Sequence, residues 1–223
     1  MKIKTPVIIV NFKTYAKGSG REAEHLAQVC EKIAHETGKN IIVAVQEVDL
    51  FRISSLVDIP VFSEHMDPIH EGAHTGHNLP ESLKDNGAKG TILNHSEDRF
   101  RIDMLKESIA IAKDIHLTTV VCANDPLSAE AVAAFGPDMI AIEPPELIGG
   151  DVSVSTAKPE IITNTISMVK KVADIPVLCG AGIKSGEDVK KAIELGAEGI
   201  LIASGIVKAL NPEKILREMA KAL

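Results

Sequence analysis

Short apolar runs alternate with amphipathic segments along the whole chain, and this alternation limits the fold more than any other feature. The runs are rich in Val and Ile, and most are apolar without a break. An unbroken apolar run is typical of a strand in a parallel sheet, because helices cover both faces of such a sheet. The predicted strands are Val7–Asn11, Ile41–Val45, Val61–Ser63, Gly90–Leu93, Thr118–Cys122, Met139–Ile142, Val177–Cys179 and Gly199–Ile202.

The segments between these strands have apolar residues at helical spacing. Eight strands, each followed by a crossover, predict an α/β fold in which a parallel sheet closes into a (β/α)8 barrel. An open, doubly wound sheet is the alternative that the same alternation allows. No linker or low-complexity tract is visible, so we expect one domain over residues 1–223. The clearest predicted helices are Glu22–Glu36, Asp103–Ile115, Pro159–Val172, Glu187–Glu194 and Pro212–Ala222.

Two of the predicted helix-to-strand connections share a glycine pattern. Gly87 and Gly90 frame the entry to the fourth strand, and Gly196 and Gly199 frame the entry to the eighth. In each pair we expect the first glycine to end a helix in the left-handed conformation. The second glycine is expected at the point where the strand begins.

Composition and charge limit the environment and the partners. Aromatic residues are only 3% of the chain, so the core must be mainly aliphatic. A formal charge of −7, without a dense cluster of Lys or Arg, disfavours binding to nucleic acid or to an anionic membrane. No secretion signal is visible after Met1, and no apolar run is long enough to span a bilayer. Together with three cysteines at no metal-like spacing, these features predict a cytoplasmic protein with free thiols.

Polar residues at the ends of strands are the candidates for chemistry, because (β/α)8 barrels carry their reactive side chains at the carboxyl ends of the strands. The first strand ends in Asn11-Phe12-Lys13, and strand alternation puts Asn11 and Lys13 on one face. His95 and Glu97 follow the fourth strand. Glu143 follows the sixth strand and precedes a segment with two prolines and two glycines, which is typical of a catalytic base next to a hinged lid.

Small residues follow the last two strands, as Gly180-Ala181-Gly182 and Ala203-Ser204-Gly205. Small side chains allow backbone N–H groups to approach a phosphate closely. Because many barrels share this feature, it predicts a phosphorylated ligand and not a particular reaction.

Three segments together resemble triosephosphate isomerase: Asn11-Phe12-Lys13, Asn94-His95-Ser96-Glu97 and Glu143-Pro144-Pro145-Glu146-Leu147-Ile148-Gly149. The resemblance extends from about residue 7 to the carboxyl terminus. It implies a TIM barrel that isomerises a small phosphorylated triose in glycolysis and gluconeogenesis, with no metal and no other cofactor. Each segment alone is unspecific, whereas the three in this order are specific for the family.

The resemblance also implies a role for each candidate residue. Glu143 is expected to move a proton between the two carbons beside the carbonyl, while neutral His95 donates to the carbonyl oxygens, a division of roles established for the family. Lys13 is expected to hold the developing negative charge, with Asn11 and Glu97 fixing its position. The phosphate is expected to bind backbone groups near Ile148, Gly182, Ile183, Ala203, Ser204 and Gly205.

The chain also resembles the compact archaeal members of the family, because it is shorter than the ~250 residues usual for such barrels. Those members are typically tetramers, so we expect a homo-oligomer, with a dimer as the alternative. Gly72–Gly76 resembles the family's third loop, from which Thr75 would reach a neighbouring subunit. Glu146 replaces the usual Trp of the lid, and Cys179–Gly182 replace the usual Tyr-Gly-Gly-Ser. Hydroxyl contacts that hold the lid closed are therefore missing or replaced.

Two other interpretations of the barrel remain open from the residues. Another phosphate-binding barrel, such as a synthase or isomerase of amino-acid or thiamine biosynthesis, would fit residues 177–209 but not the three motifs. A sugar-phosphate sensor without catalysis predicts the loss of Lys13, His95 or Glu143, and all three are present.

A metal site is a further alternative, since histidines and acids recur between residues 64 and 77. Histidines four apart can share a helix face and bind one ion. However, Pro68 and Gly72 interrupt any helix there and favour a protruding loop, so we expect no metal. The residues in question are Glu64, His65, Asp67, His70, Glu71, His74 and His77.

Overall fold

A computed structural model describes residues 3–144 and 154–223. Eight parallel strands pair in sequential order, and β1 also pairs with β8, so the sheet is a closed barrel. The predicted (β/α)8 barrel is therefore confirmed and the open sheet is excluded. The strands are β1 Val7–Asn11, β2 Asn40–Val45, β3 Val61–Ser63, β4 Gly90–Leu93, β5 Thr118–Ala123, β6 Met139–Ile142, β7 Val177–Cys179 and β8 Gly199–Ile202.

Helices cover the outside of the barrel, and the five predicted ones are present. Pro159–Val172 and Pro212–Ala222 have the predicted bounds, and each begins with a proline, which the first helical turn tolerates. A 3-10 turn at Ala16–Gly18 precedes the first helix. The described helices are α1 Gly20–Thr37, α2 Leu50–Ser54, α3 Pro80–Asp85, α4 Ile102–Asp114, α5 Pro126–Ala133, α6 Val154–Ala157, α7 Pro159–Val172, α8 Gly186–Glu194, α9 Ser204–Val207 and α10 Pro212–Ala222.

The core has two parts, one inside the barrel and one between the barrel and its helices. Alternate residues of each strand point inwards, as the pleat of a strand requires. The inner part is almost entirely aliphatic, as predicted, with Phe62 as its one aromatic residue among those described. Its buried members are Val7, Ile9, Ile42, Ala44, Phe62, Ile92, Val120, Cys122, Met139, Ala141, Leu178 and Leu201.

The glycine pattern before β4 and β8 is confirmed. Gly87 and Gly196 have φ values of 98° and 96°, which a side chain would strain. At the strand entries the need is steric, because a Cβ on Gly90 would lie 2.4 Å from the Thr118 carbonyl oxygen. A Cβ on Gly199 would lie 2.2 Å from the Val7 carbonyl oxygen, at the seam where β8 pairs with β1. These glycines let neighbouring strands approach closely enough to close the barrel.

Gly199→Ala is expected to lower the free energy of unfolding by more than about 2 kcal/mol, since it adds overpacking to backbone strain. Gly38→Ala is the matched control. Like Gly199, whose φ is 150°, Gly38 has a positive φ, 66°, but a Cβ there meets no atom within 4 Å. The control is expected to lose only about 1 kcal/mol. Denaturant unfolding of both variants measures the difference, and equal losses would contradict the steric account of the seam.

Candidate active site

Lys13 is held at the carboxyl end of β1 by two side chains. Its backbone is left-handed, with φ 49°, and its N–H donates to Asn11 Oδ1 at 3.0 Å. Its ammonium nitrogen lies 2.8 Å from Glu97 Oε1, across the barrel mouth. A non-glycine residue in this conformation is uncommon and costs energy that its surroundings must supply. Asn11 and Glu97 together therefore fix both ends of the lysine.

His95 follows β4 and is almost completely buried. Its Nδ1 accepts the Glu97 N–H at 3.2 Å, so the proton of the neutral ring must be on Nε2. Burial, and then the nearby Lys13 charge, lower the pKa of His95 to about 4. The ring is therefore neutral near pH 7, and its Nε2–H is available as a donor.

Glu143 is buried directly after β6, and its Oε2 lies 3.6 Å from His95 Nε2. Burial raises the pKa of Glu143 to about 7, against a lowering contribution from a hydrogen bond with the Cys122 thiol. Among the described residues, its Oε2 has no hydrogen-bond partner. An unpartnered carboxylate oxygen in a buried position is costly, and such perturbed groups cluster at functional sites.

Gly180, at the end of β7, makes room for this glutamate. A Cβ at position 180 would lie 2.4 Å from Glu143 Cγ and 3.1 Å from its Oε1. The neighbouring strand pair β6–β7 brings the two residues together, because Ile142 pairs with Cys179. The position of the carboxylate therefore depends on the absence of a side chain at 180.

One cavity of about 150 Å³ joins the predicted polar residues to the predicted phosphate-binding segments. It lies at the carboxyl ends of the strands, where barrels of this type bind their ligands. Ile148, the remaining predicted site residue, lies outside the described residues, as does most of the proposed lid. The cavity is lined by Asn11, Lys13, Tyr15, His95, Glu97, Glu143, Gly180, Gly182, Ile183, Lys184, Leu201, Ile202, Ala203, Ser204 and Gly205.

Three polar residues at or near the cavity were not predicted from the sequence as site residues. Tyr15 lines it two positions after Lys13, but β1 ends at Asn11 and Lys13 is left-handed, so strand alternation does not extend to Tyr15. Lys184 lines it next to Ile183. Arg99 donates to the Asn94 carbonyl oxygen at 3.0 Å, and its charge lowers the pKa of both His95 and Glu143. No local pattern distinguishes Arg99 from an exposed helix-entry residue.

The histidine-rich segment forms an exposed loop over residues 70–77, as predicted. His65 lies at its base, with Nε2 3.3 Å from Asp67 and Nδ1 3.0 Å from Asp98. Over residues 3–144 and 154–223, no group of three or more His, Cys, Asp and Glu residues is arranged to hold a metal ion. Within the same ranges, no helix combines the length and apolar character needed to cross a membrane.

A parallel closed barrel with a small polar cavity at its carboxyl face is characteristic of the (β/α)8 enzymes. The family model described as triosephosphate isomerase matches residues 6–219. Relatives named triosephosphate isomerase include that of Methanocaldococcus jannaschii, 49% identical over 216 residues (96% of this chain and 99% of the relative). That of Methanothermobacter thermautotrophicus is 47% identical over 216 residues (96% and 94%). The chain belongs to the triosephosphate isomerase family, and the resemblance found in the sequence is confirmed.

Proposed function

We propose that this isomerase interconverts dihydroxyacetone phosphate and D-glyceraldehyde 3-phosphate through an enediolate. The observation that carries the proposal is the convergence of a carboxylate, a neutral imidazole and an ammonium group on one small cavity. The reaction needs a base for a carbon-bound proton, a donor for the carbonyl oxygens and a positive charge for the intermediate. Glu143, His95 and Lys13 supply these groups. The relatives' names support the same reaction.

Glu143 is the base in this proposal. It would take a proton from the carbon on one side of the carbonyl and return it to the carbon on the other. A base is most effective when its pKa is close to the working pH, and burial raises the pKa of Glu143 to about 7. Glu143 Oε2 lies 3.6 Å from His95 Nε2, so both groups can contact the same three-carbon substrate.

His95 and Lys13 stabilise the charge that develops on the oxygens. The neutral ring of His95 donates from Nε2, and it gives a proton more readily than water while leaving the positive charge to Lys13. An ammonium about 4 Å from an oxyanion contributes about 4 kcal/mol at an effective dielectric constant of about 20. Glu97 supports both residues, since its carboxylate pairs with the lysine while its backbone N–H orients the ring.

The phosphate group would bind where the loops after β7 and β8 meet. Gly182, Ile183, Ala203, Ser204 and Gly205 all line the cavity, and Ile148 is proposed to complete the set. A Cβ on Gly205 would lie 2.8 Å from the Ile183 carbonyl oxygen, so the two loops are closely packed. Backbone amides in such loops bind phosphate without the entropy cost of ordering long side chains.

We also propose a cytoplasmic homo-oligomer, a tetramer or a dimer, with a role in glycolysis and gluconeogenesis. The exposed loop at residues 70–77 supports a subunit contact, and Thr75 is exposed on it. Val48 and Phe51, 86% and 64% exposed, are further apolar surface that a neighbour would cover. Light scattering combined with activity at high dilution tests this: a monomer that keeps full activity would contradict a role for Thr75 in a neighbour's site.

The pH dependence of turnover tests the assignment of the base. Glu143 must be ionised to accept a proton, so kcat/KM should rise with pH through about 7 and then level off. Neutral His95 should add no step between about pH 5 and 8. The substrate phosphate loses its second proton near pH ~6, so the profile is repeated with Glu143→Asp. The step in kcat/KM that Glu143 causes should move to a different pH, while the step that the substrate phosphate causes stays in place. A profile that does not move would contradict the assignment of Glu143 as the base.

The direct test of the proposed reaction is turnover of dihydroxyacetone phosphate by the purified protein after treatment with a chelator. Conversion to glyceraldehyde 3-phosphate is expected without added metal. Lack of turnover by folded protein would refute the proposed function, and dependence on added metal would revive the site in the histidine-rich segment.

A further inference from the structure

The imidazole ring of His65 lies between two carboxylates from different segments of the chain. Its Nε2 is 3.3 Å from Asp67 Oδ1, and its Nδ1 is 3.0 Å from Asp98 Oδ2. A neutral imidazole has one N–H donor, so the ring donates to both acids only when both nitrogens carry a proton. The ring also stacks on Phe100, with 5.1 Å between the ring centroids and 24° between the planes. His65 therefore contacts the segment after β4 at two points.

The neighbouring segments hold His65 in place. Its N–H donates to Glu47 Oε1 at 2.8 Å, which ties its backbone to the segment after β2. Asp67 closes the base of the exposed loop, because its N–H donates to the Asn78 carbonyl oxygen at 3.2 Å and its Oδ2 accepts the Asn78 N–H at 2.6 Å. The acid on one side of the ring is therefore fixed by two hydrogen bonds of its own.

The turn after β4, residues 94–100, carries the proposed donor His95 and is held from two sides. On one side, Asn94 Nδ2 donates to a backbone carbonyl oxygen of β5 at 2.9 Å. Asp98 belongs to the same turn, since its N–H donates to the His95 carbonyl oxygen at 2.9 Å. Its carboxylate contacts His65, so the turn is also anchored on the side of β3.

We infer that His65 is a positioning residue for the proposed reaction: its ring holds the turn after β4 where His95 faces the substrate. The inference rests on the proposed function, because it takes His95 as the donor to the carbonyl oxygens. The Glu97 N–H that orients the His95 ring belongs to the same turn, so a shift of the turn would move both. His65 does not line the cavity and acts through this turn.

His65→Gln is expected to lower kcat by about three- to tenfold, since a small displacement of a catalytic group is enough for such a loss. Gln keeps one donor group but lacks the ring that stacks on Phe100 and the second donor on its opposite edge. The phosphate-binding segments after β7 and β8 do not belong to this turn. KM, and the inhibition constant of inorganic phosphate, should therefore stay within about twofold of the wild-type values.

Asp98→Ala interrupts the same contact from its other end. The Asp98 side chain is 68% exposed, so its removal should leave the fold and its stability nearly unchanged. We expect a loss in kcat of about two- to fivefold, smaller than in His65→Gln because the stacking on Phe100 remains. This variant carries the test if His65→Gln does not fold.

The infrared carbonyl band of bound dihydroxyacetone phosphate separates positioning from a general loss of active protein. A hydrogen bond from His95 Nε2 weakens the carbonyl bond and lowers its stretching frequency. In His65→Gln the band should move towards that of free substrate, because the donor is no longer held against the oxygen. A merely structural defect would reduce the amount of bound substrate without moving the band.

A double-mutant cycle tests whether His65 acts through Asp98. The double variant should lose no more than about twofold beyond His65→Gln alone, because both substitutions remove one contact. Losses that multiply would show independent effects and would overturn the link. His25→Gln, at an exposed position of α1, is the control and should keep wild-type kinetics.

The outcomes distinguish this inference from the proposed function. A wild type without isomerase activity refutes the proposed function itself. An active wild type whose kcat is unchanged in His65→Gln and in Asp98→Ala overturns the role of His65 alone. A lower kcat with an unmoved carbonyl band overturns it as well.

Discussion

Glu143→Gln is expected to lower kcat/KM by about 10²–10⁴, the usual contribution of a general base. Gln has nearly the same shape, so the substrate can still bind, but its amide cannot take a proton from carbon. Steady-state kinetics in both directions measures the loss. Glu160→Gln, at an exposed position in the first turn of α7, is the matched control and should keep wild-type activity.

The same substitution should make the protein more stable, which separates a catalytic role from a folding defect. The pKa of Glu143 is raised from 4.5 to about 7, so above pH 7 the folded protein carries a buried charge that the unfolded chain solvates. Stability at this site therefore falls as pH rises from 4.5 through 7. Removing the charge should raise the free energy of unfolding at pH 8 by up to about 3 kcal/mol. Lost activity together with lost stability would point to a structural role instead.

Gly180→Ala is expected to lower kcat/KM by about 10²-fold, because a displacement near 1 Å of a catalytic group has an effect of that size. The added Cβ would lie 2.4 Å from Glu143 Cγ, so the glutamate must move. The wild-type fold should be retained, since the collision is with a side chain and not with backbone. Circular dichroism and thermal unfolding check the fold, and kinetics give the loss.

A double-mutant cycle tests whether Gly180 acts through Glu143. In the Glu143→Gln background, Gly180→Ala should change the residual activity by less than about threefold, because the group it displaces no longer carries the reaction. A further loss of about 10²-fold in that background would show an independent effect, and the positioning role of Gly180 would be wrong.

Most of the barrel could be predicted because its strands are buried on both faces. Val177–Cys179 and Met139–Ile142 stand out as unbroken apolar runs, and their bounds are as predicted. The differences occur at strand ends. β2 begins with exposed Asn40, one residue earlier than predicted, and β5 includes Ala123, one residue later. Polarity identifies which residues are buried, but ladder hydrogen bonds decide where a strand ends.

The positions of the candidate active-site residues could be predicted because the fold brings all strand ends to one face. His95 and Glu143 follow strands β4 and β6, and they line one cavity although 48 positions separate them in the chain. The resemblance of three sequence segments to a known family added the role of each residue, which spacing alone does not give.

The electrostatics could not be predicted from the sequence. Glu47 and Glu64 are ordinary acids in the chain, and they come close together only because β2 pairs with β3. The influence of Arg99 likewise depends on a loop conformation that Asn94 stabilises, with φ 58° and Oδ1 accepting the Phe100 N–H at 3.1 Å. A pKa depends on burial and distance, and neither can be read from sequence position.

Conversion of dihydroxyacetone phosphate in heavy water tests the central claim most directly. A carboxylic acid exchanges its proton with solvent while the enediolate exists, so part of the product from the wild-type protein should carry deuterium on the carbon beside the aldehyde. Mass spectrometry of the trapped product measures the label, and Glu143→Gln should form this labelled product orders of magnitude more slowly. Labelled product formed by Glu143→Gln as fast as by the wild-type protein would mean that another group carries the proton. That result would contradict the role of Glu143 as a proton-carrying base.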